Sequence, residues 1–245
     1  MNHLHQVIDS VKERTMTVQE TIPGDLELKF LSDLFRLSAN AVCFNAGDAE
    51  DIGAIGAIVS LIRLPYDVCW IEFNAKGTIV GAMCKATSTE GFFKILPFLK
   101  GGGSRWSMLD IIVVDASTDN VKYLTAAATV ETHRVIGSIV CRFLSALNCT
   151  NVRRLEERPP EALNKARVRR GKQPLFSTWT LSINIPKERR DSSALGGSHA
   201  SPRVHLRRGH PREYKPGMWT WVQPCAVGAK ENGMIHKDYV AAIRK

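Results

Sequence analysis

The sequence predicts an α+β fold: N-terminal helices with an antiparallel β-meander, followed by a small basic C-terminal α+β module containing a β-hairpin. Three observations carry this. Four β-rich runs between residues 67 and 114 are separated by short turn-forming segments. A stripe of apolar residues at helical spacing follows them. After Thr150 the composition turns basic, with its own helix and strand signals.

In order, "LELKFLSDLFRLSA" places Leu26, Phe30, Leu31, Leu34 and Leu37 at helical spacing. "DAEDIGAIGAIVSLIRL" begins with acids, which favour a helix N-terminus, and is expected to be one helix ended by Pro65. The meander is then "DVCWIEF", a turn at "NAKG", "TIVGAMCKA", a turn at "TSTEG", "FFKILPFL", the flexible "KGGGS", and "MLDIIVV". From "ETHRVIGSIVCRFLSALNC" the pattern returns to helix, with Ile136, Ile139, Val140, Phe143, Leu144 and Leu147 on one stripe expected to cover the sheet.

Residues 1–150 are thus expected to form an α+β scaffold domain and residues 151–245 a basic module with a mobile loop near 187–201. In "RPPEALNKARVRRGKQPL" prolines stand at a helix start, Glu161 in its first turn, and Gly171 where a left-handed cap belongs. "PLFSTWTLSINIP" alternates as a strand with its apolar side chains mainly at odd positions. Val204–Arg208 and Met218–Gln223 are expected to pair as a hairpin around "PREYKPG".

Charge is divided unevenly along the chain. Residues 1–150 carry a net −3 and residues 151–245 a net +12, which together make the formal +9 of the whole. A basic excess of that density suits phosphate-rich partners or an acidic protein surface. The longest apolar run, Ile52–Ile62, is eleven residues and stops at Arg63, so no membrane span is expected. The opening "MNHLHQVIDSVKERT" has no apolar h-region of a signal peptide. Six cysteines without a CxxC pair, mostly inside apolar segments, suit reduced core thiols and a cytoplasmic protein.

The candidate partner is nucleic acid, DNA or RNA. Arg203, Arg207, Arg208, Arg212 and Lys215 of the hairpin, and Arg167, Arg169, Arg170 and Lys172 at the basic helix end, offer phosphate contacts, since a guanidinium fork matches phosphate oxygens. Trp219 and Trp221 would share one face of a strand, where they either stack on bases or form the core side of a small sheet. The alternatives are binding of an acidic host protein and metal-independent nuclease chemistry with His205 and His210 as acid and base. Five residues separate those histidines, so an ideal strand sends them to opposite faces unless a bulge at Gly209 intervenes. His199, His205, His210, Cys225 and His236 match no zinc spacing, "KGGGSRW" lacks the phosphate-loop pattern, and neither a metal nor another cofactor is expected.

The succession "LNKARVRRGKQPL", "SHASPRVHLRRGHPREYKPGMWTWVQPCAVG" and "GMIHKDYV" resembles a group of uncharacterised bacteriophage and prophage proteins in which an HxRRGHxR segment precedes WVxPxxVG. The resemblance covers roughly residues 159–241. It implies a phage origin and a role in the cytoplasm of a bacterial host cell, in handling nucleic acid or in disabling a host factor.

Overall fold

The computed structural model describes residues 3–13, 15–18, 38, 41–53, 57–102, 105–117, 122–124, 130–183, 203–207, 210–222, 225–227 and 229–234. The architecture is α+β. The helix expected from Leu26 to Leu37 and the loop expected near 187–201 lie outside the described residues.

The centre is an antiparallel meander of β3 (Val68–Ala75), β4 (Thr78–Ala86) and β5 (Phe92–Lys100). Its first turn is two residues long, and both Lys76 (φ 50°) and Gly77 (φ 84°) take the left-handed backbone that suits such a hairpin. The Gly77 amide donates to Asn74 Oδ1 at 3.0 Å, so the expected "NAKG" turn closes on its own side chain.

The fourth expected strand is two. β6 (Trp106–Met108) pairs with one end of β5, and β7 (Ile112–Asp115) with the other. Pro97 stands between the two stretches and has no N–H to give, while its carbonyl accepts the Leu109 amide at 3.0 Å. β7 continues to β8 (Lys122–Leu124), and β6 to the two-residue β1 (Thr17–Val18).

On the other side of β3 lies β2 (Val42–Asp48), running parallel to it. The expected long helix between them is replaced by the short α2 (Ala49–Gly53) and a 3-10 turn at Val59–Leu61. Ile58 is extended (φ −111°, ψ 118°), as suits a β-branched residue beyond two glycines, and its amide is taken up by Ser145 Oγ at 2.9 Å. β10 (Thr178–Ile183) then pairs in parallel with β2, and β9 (Val152–Glu157) pairs antiparallel with β10 at the sheet edge. The ten-stranded sheet therefore takes two of its strands from beyond Thr150.

Among the described helices, α3 and α1 cover opposite faces. α3 (Val130–Leu147) buries the expected stripe from Ile136 to Leu147 against Cys69, Ile71, Phe73, Ala82, Cys84, Ile95 and Val114. α1 (Leu4–Lys12) buries Leu4, Val7, Ile8 and Val11 against Trp70, Met83, Leu96, Phe98 and Trp106. Its i, i+3, i+4, i+7 spacing was present in the charged opening of the chain. On this face the Trp70 ring lies over Gly81: a Cβ there would stand 2.2 Å from two ring carbons. Next to it Glu72 is buried, accepting the His3 amide at 2.7 Å and facing His3 Nδ1 at 2.8 Å, which ties the start of α1 to the sheet. No helix among the described residues is long and apolar enough to cross a membrane.

Candidate nucleic-acid interface

The basic C-terminal segments form β-structure beyond the main sheet. β11 (Arg203–Arg207) pairs antiparallel with β14 (Cys225–Val227) and parallel with β15 (Ala229–Met234), while β12 (His210–Lys215) and β13 (Met218–Val222) form a hairpin. This corrects the expected pairing. Met218–Val222 faces 210–215 rather than 204–208, and the turn shrinks to Pro216–Gly217, with Gly217 at φ 73° and its amide on Glu213 Oε1 at 2.8 Å. Pro211 had suggested a turn, but in a two-stranded ribbon each strand has an open edge where a missing N–H costs no ladder bond.

The two ladders keep one register. Arg207 faces Cys225 and His210 faces Val222, so the step is three residues on both arms. Arg208 and Gly209 themselves lie outside the described residues.

The hairpin docks through one face. Trp221 is buried and Trp219 partly so, packing with Leu61, Ala146 and Cys149 beside the end of α3. Trp221 faces Pro211, and Trp219 faces Glu213. The rings are thus the core side of a small sheet, not a platform for bases. Thr150 and Asn151, just after α3, complete the attachment. The Thr150 amide and hydroxyl both donate to the Trp219 carbonyl at 2.8 Å. Asn151 uses its amide side chain as a strand would: Nδ2 donates to the Trp221 carbonyl at 2.9 Å and Oδ1 accepts the Trp221 N–H at 2.6 Å.

Exposed on β12 are Arg212, Glu213, Tyr214 and Lys215, with half-buried His210 at the start of the strand. Neither Arg212 nor Lys215 has an ion-pair partner among the described residues. Tyr214 sits where the β12–β13 register shifts, its hydroxyl 3.6 Å from Met218 Sδ. It is an exposed aromatic between two cations, marked in the sequence only by its place in "REYK".

The other expected basic group is elsewhere. α4 (Glu161–Arg169) ends as predicted, with Gly171 at φ 69°. Arg167 is committed to structure: Nε donates to the Gln173 carbonyl at 2.8 Å, and its guanidinium lies 3.8 Å from Asp9 of α1. Arg169, Arg170 and Lys172 are exposed. α4 contacts α1 on one face of the sheet, while the β12–β13 hairpin packs beside the end of α3 on the other. Arg203 and Arg207 are the ends of β11, His205 faces Val227, and Cys225 opens β14; His199 and His236 lie outside the described residues.

Four of the described cysteines are buried thiols held in the protonated form. Burial pushes the Cys43 and Cys69 thiols up to about 12 and Cys149 up to about 11, and holds Cys84 well above the ordinary value. No family model, curated protein or solved structure matches the chain.

Proposed function

We propose that the protein binds nucleic acid, DNA or RNA, through phosphate contacts along the β11–β12 arm, with Arg212 and Lys215 as the defined contacts and Arg203, Arg207 and Arg208 extending them. The observation that carries the reading is the two-sidedness of the hairpin. Its tryptophan face is used up in packing, while its outward residues Arg212, Tyr214 and Lys215 are exposed and the two cations lack ion-pair partners among the described residues. Tyr214 offers the ring on which an unpaired base can stack. The net +12 of residues 151–245 favours the same partner. The resemblance to phage and prophage proteins supports the cytoplasm of an infected bacterium as the setting.

The test is fluorescence anisotropy with labelled single-stranded DNA and RNA over a salt series. Affinity should fall steeply with salt, and replacing Arg212 and Lys215 together by Ala should reduce the slope of log K against log salt by roughly 1.4, about 0.7 per lost phosphate contact on a single strand. Absent or salt-insensitive binding would overturn the reading. A host protein retained in stoichiometric amount by the nuclease-treated protein would instead assign the same cations to an acidic protein surface.

A further inference from the structure

The outer edge of the large sheet is β9, and among the described strands it pairs only with β10. Its ladder with β10 runs six residues without a shift of register. Natural edges are usually blunted by proline, a bulge, shortness or a row of like charges that repels a second strand. β9 has no proline or bulge, and its four charged side chains are of both signs, so they repel or attract a second strand according to register. From Arg153 to Glu157 it reads Arg-Arg-Leu-Glu-Glu, so its charge reverses sign about Leu155.

We propose that β9 is a self-complementary edge at which two copies of this chain join as an antiparallel dimer, merging two ten-stranded sheets into one. A twofold axis normal to the sheet keeps each face in line with itself, so only residues of equal parity meet across it. With the axis at Leu155, Arg154 of each copy meets Glu156 of the other, Arg153 meets Glu157, and Leu155 meets itself. Both faces are matched in this one register. Sliding the axis to position 154 or 156 sets two arginines or two glutamates against each other, so the charges select the register as well as the partner.

The side chains are disposed for it. Arg153, Leu155 and Glu157 share one face and are exposed; Leu155 keeps 52% of its surface in water, unusual for a regular strand beside Thr180. Arg153 and Glu157 have no ion-pair partner among the described residues. Four residues of strand, about 13 Å, keep them from pairing within one chain. On the other face Arg154 lies over the Tyr66 ring at 5.6 Å and donates to its hydroxyl at 3.1 Å, and Glu156 is paired with Arg158 at 2.6 Å, so the unpaired Arg153 and Glu157 carry the selection of register.

Sedimentation velocity of the full chain across the micromolar range tests it, with circular dichroism confirming that each variant is folded. The wild type should be a dimer that weakens with salt. Glu157→Arg places like charges against Arg153 at two symmetric points and should weaken association about tenfold or more. Adding Arg153→Glu restores opposite charges in the same register and should restore the dimer, which a merely structural role for either residue would not do. Leu155→Lys should also abolish it by setting two ammonium groups together at the axis. A monomeric wild type, an unchanged dimer in Glu157→Arg, or failure of the double exchange to rescue would each overturn the proposal.

Discussion

The β12–β13 hairpin and helix α4 are both basic, both peripheral, and held to the sheet in opposite ways. The hairpin is anchored by buried rings, with Trp221 and Trp219 set against Leu61, Ala146 and Cys149. α4 buries no residue at all and leaves Leu163 and Val168 exposed. It is tethered instead by Asn164, which receives the Leu175 amide on Oδ1 at 2.8 Å and donates Nδ2 to the Leu175 carbonyl at 3.0 Å, and by Arg167 on Gln173. The difference shows that a basic run does not carry one meaning: a cation can be an anchor in one element and available to a ligand in another.

The hairpin side should break most sharply. Trp221→Ala removes the buried ring at a cost of about 3 kcal/mol, more than an isolated two-stranded hairpin can withstand, so the hairpin should detach while the large sheet survives. Cys149, beneath the ring, reports this. Its thiol is pushed up to about 11 by burial, and exposure should return it toward the ordinary 9.0, so alkylation at pH 8 mapped by mass spectrometry should accelerate up to roughly a hundredfold. Cys43 and Cys69, in the sheet core and near 12, should stay unreactive. The sign with pH follows from the same shift. In the wild type the undocked thiol ionises above about 9 while the docked thiol remains protonated to about 11, so docking weakens as pH rises through that window and is unaffected by this group below it. Unchanged Cys149 labelling in Trp221→Ala would show that the ring is not the anchor.

The helix side should yield to a change of polarity rather than size. Asn164→Ala forfeits two hydrogen bonds to the Leu175 backbone and should cost about 2 kcal/mol, read as faster hydrogen exchange across 161–170 with little change elsewhere. Asn164→Leu keeps the bulk and should do no better. If leucine held the helix as well as asparagine does, apolar contact would be the tether and the contrast with the hairpin would dissolve.

This contrast also marks what the sequence could and could not tell. The meander was legible because each of its pairings is local and closed by its own turn, as at Lys76–Gly77, and α3 and α4 because periodicity and caps define them one residue at a time. The position of β10 beside β2 was not, since a strand's alternation says which face is buried but nothing about which distant strand it joins. Nor were Asn151 and Asn164, whose work is done by side-chain bonds to remote backbone that leave no period in the chain. At the candidate interface, strand parity correctly put Trp219 and Trp221 together, but only the packing against Cys149 decides between core and base platform. The stripe of α1 was hard to see because His5, Gln6, Asp9 and Ser10 break up its four apolar positions.

The smallest effect distinguishes the two kinds of cation most directly. Arg167→Ala removes a guanidinium that is one-fifth exposed and bonded to the Gln173 carbonyl, and should cost about 1–2 kcal/mol. Arg212→Ala with Lys215→Ala removes twice the charge from an exposed strand and should change unfolding free energy by no more than about 0.5 kcal/mol, because neither side chain has an ion-pair partner among the described residues. Chemical denaturation of the two variants side by side measures both. The order must hold for the proposed interface to stand: cations kept for a phosphate backbone contribute nothing to the fold that carries them. A double variant as destabilised as Arg167→Ala would mean that the hairpin's outward cations, like that of α4, are spent on the structure itself.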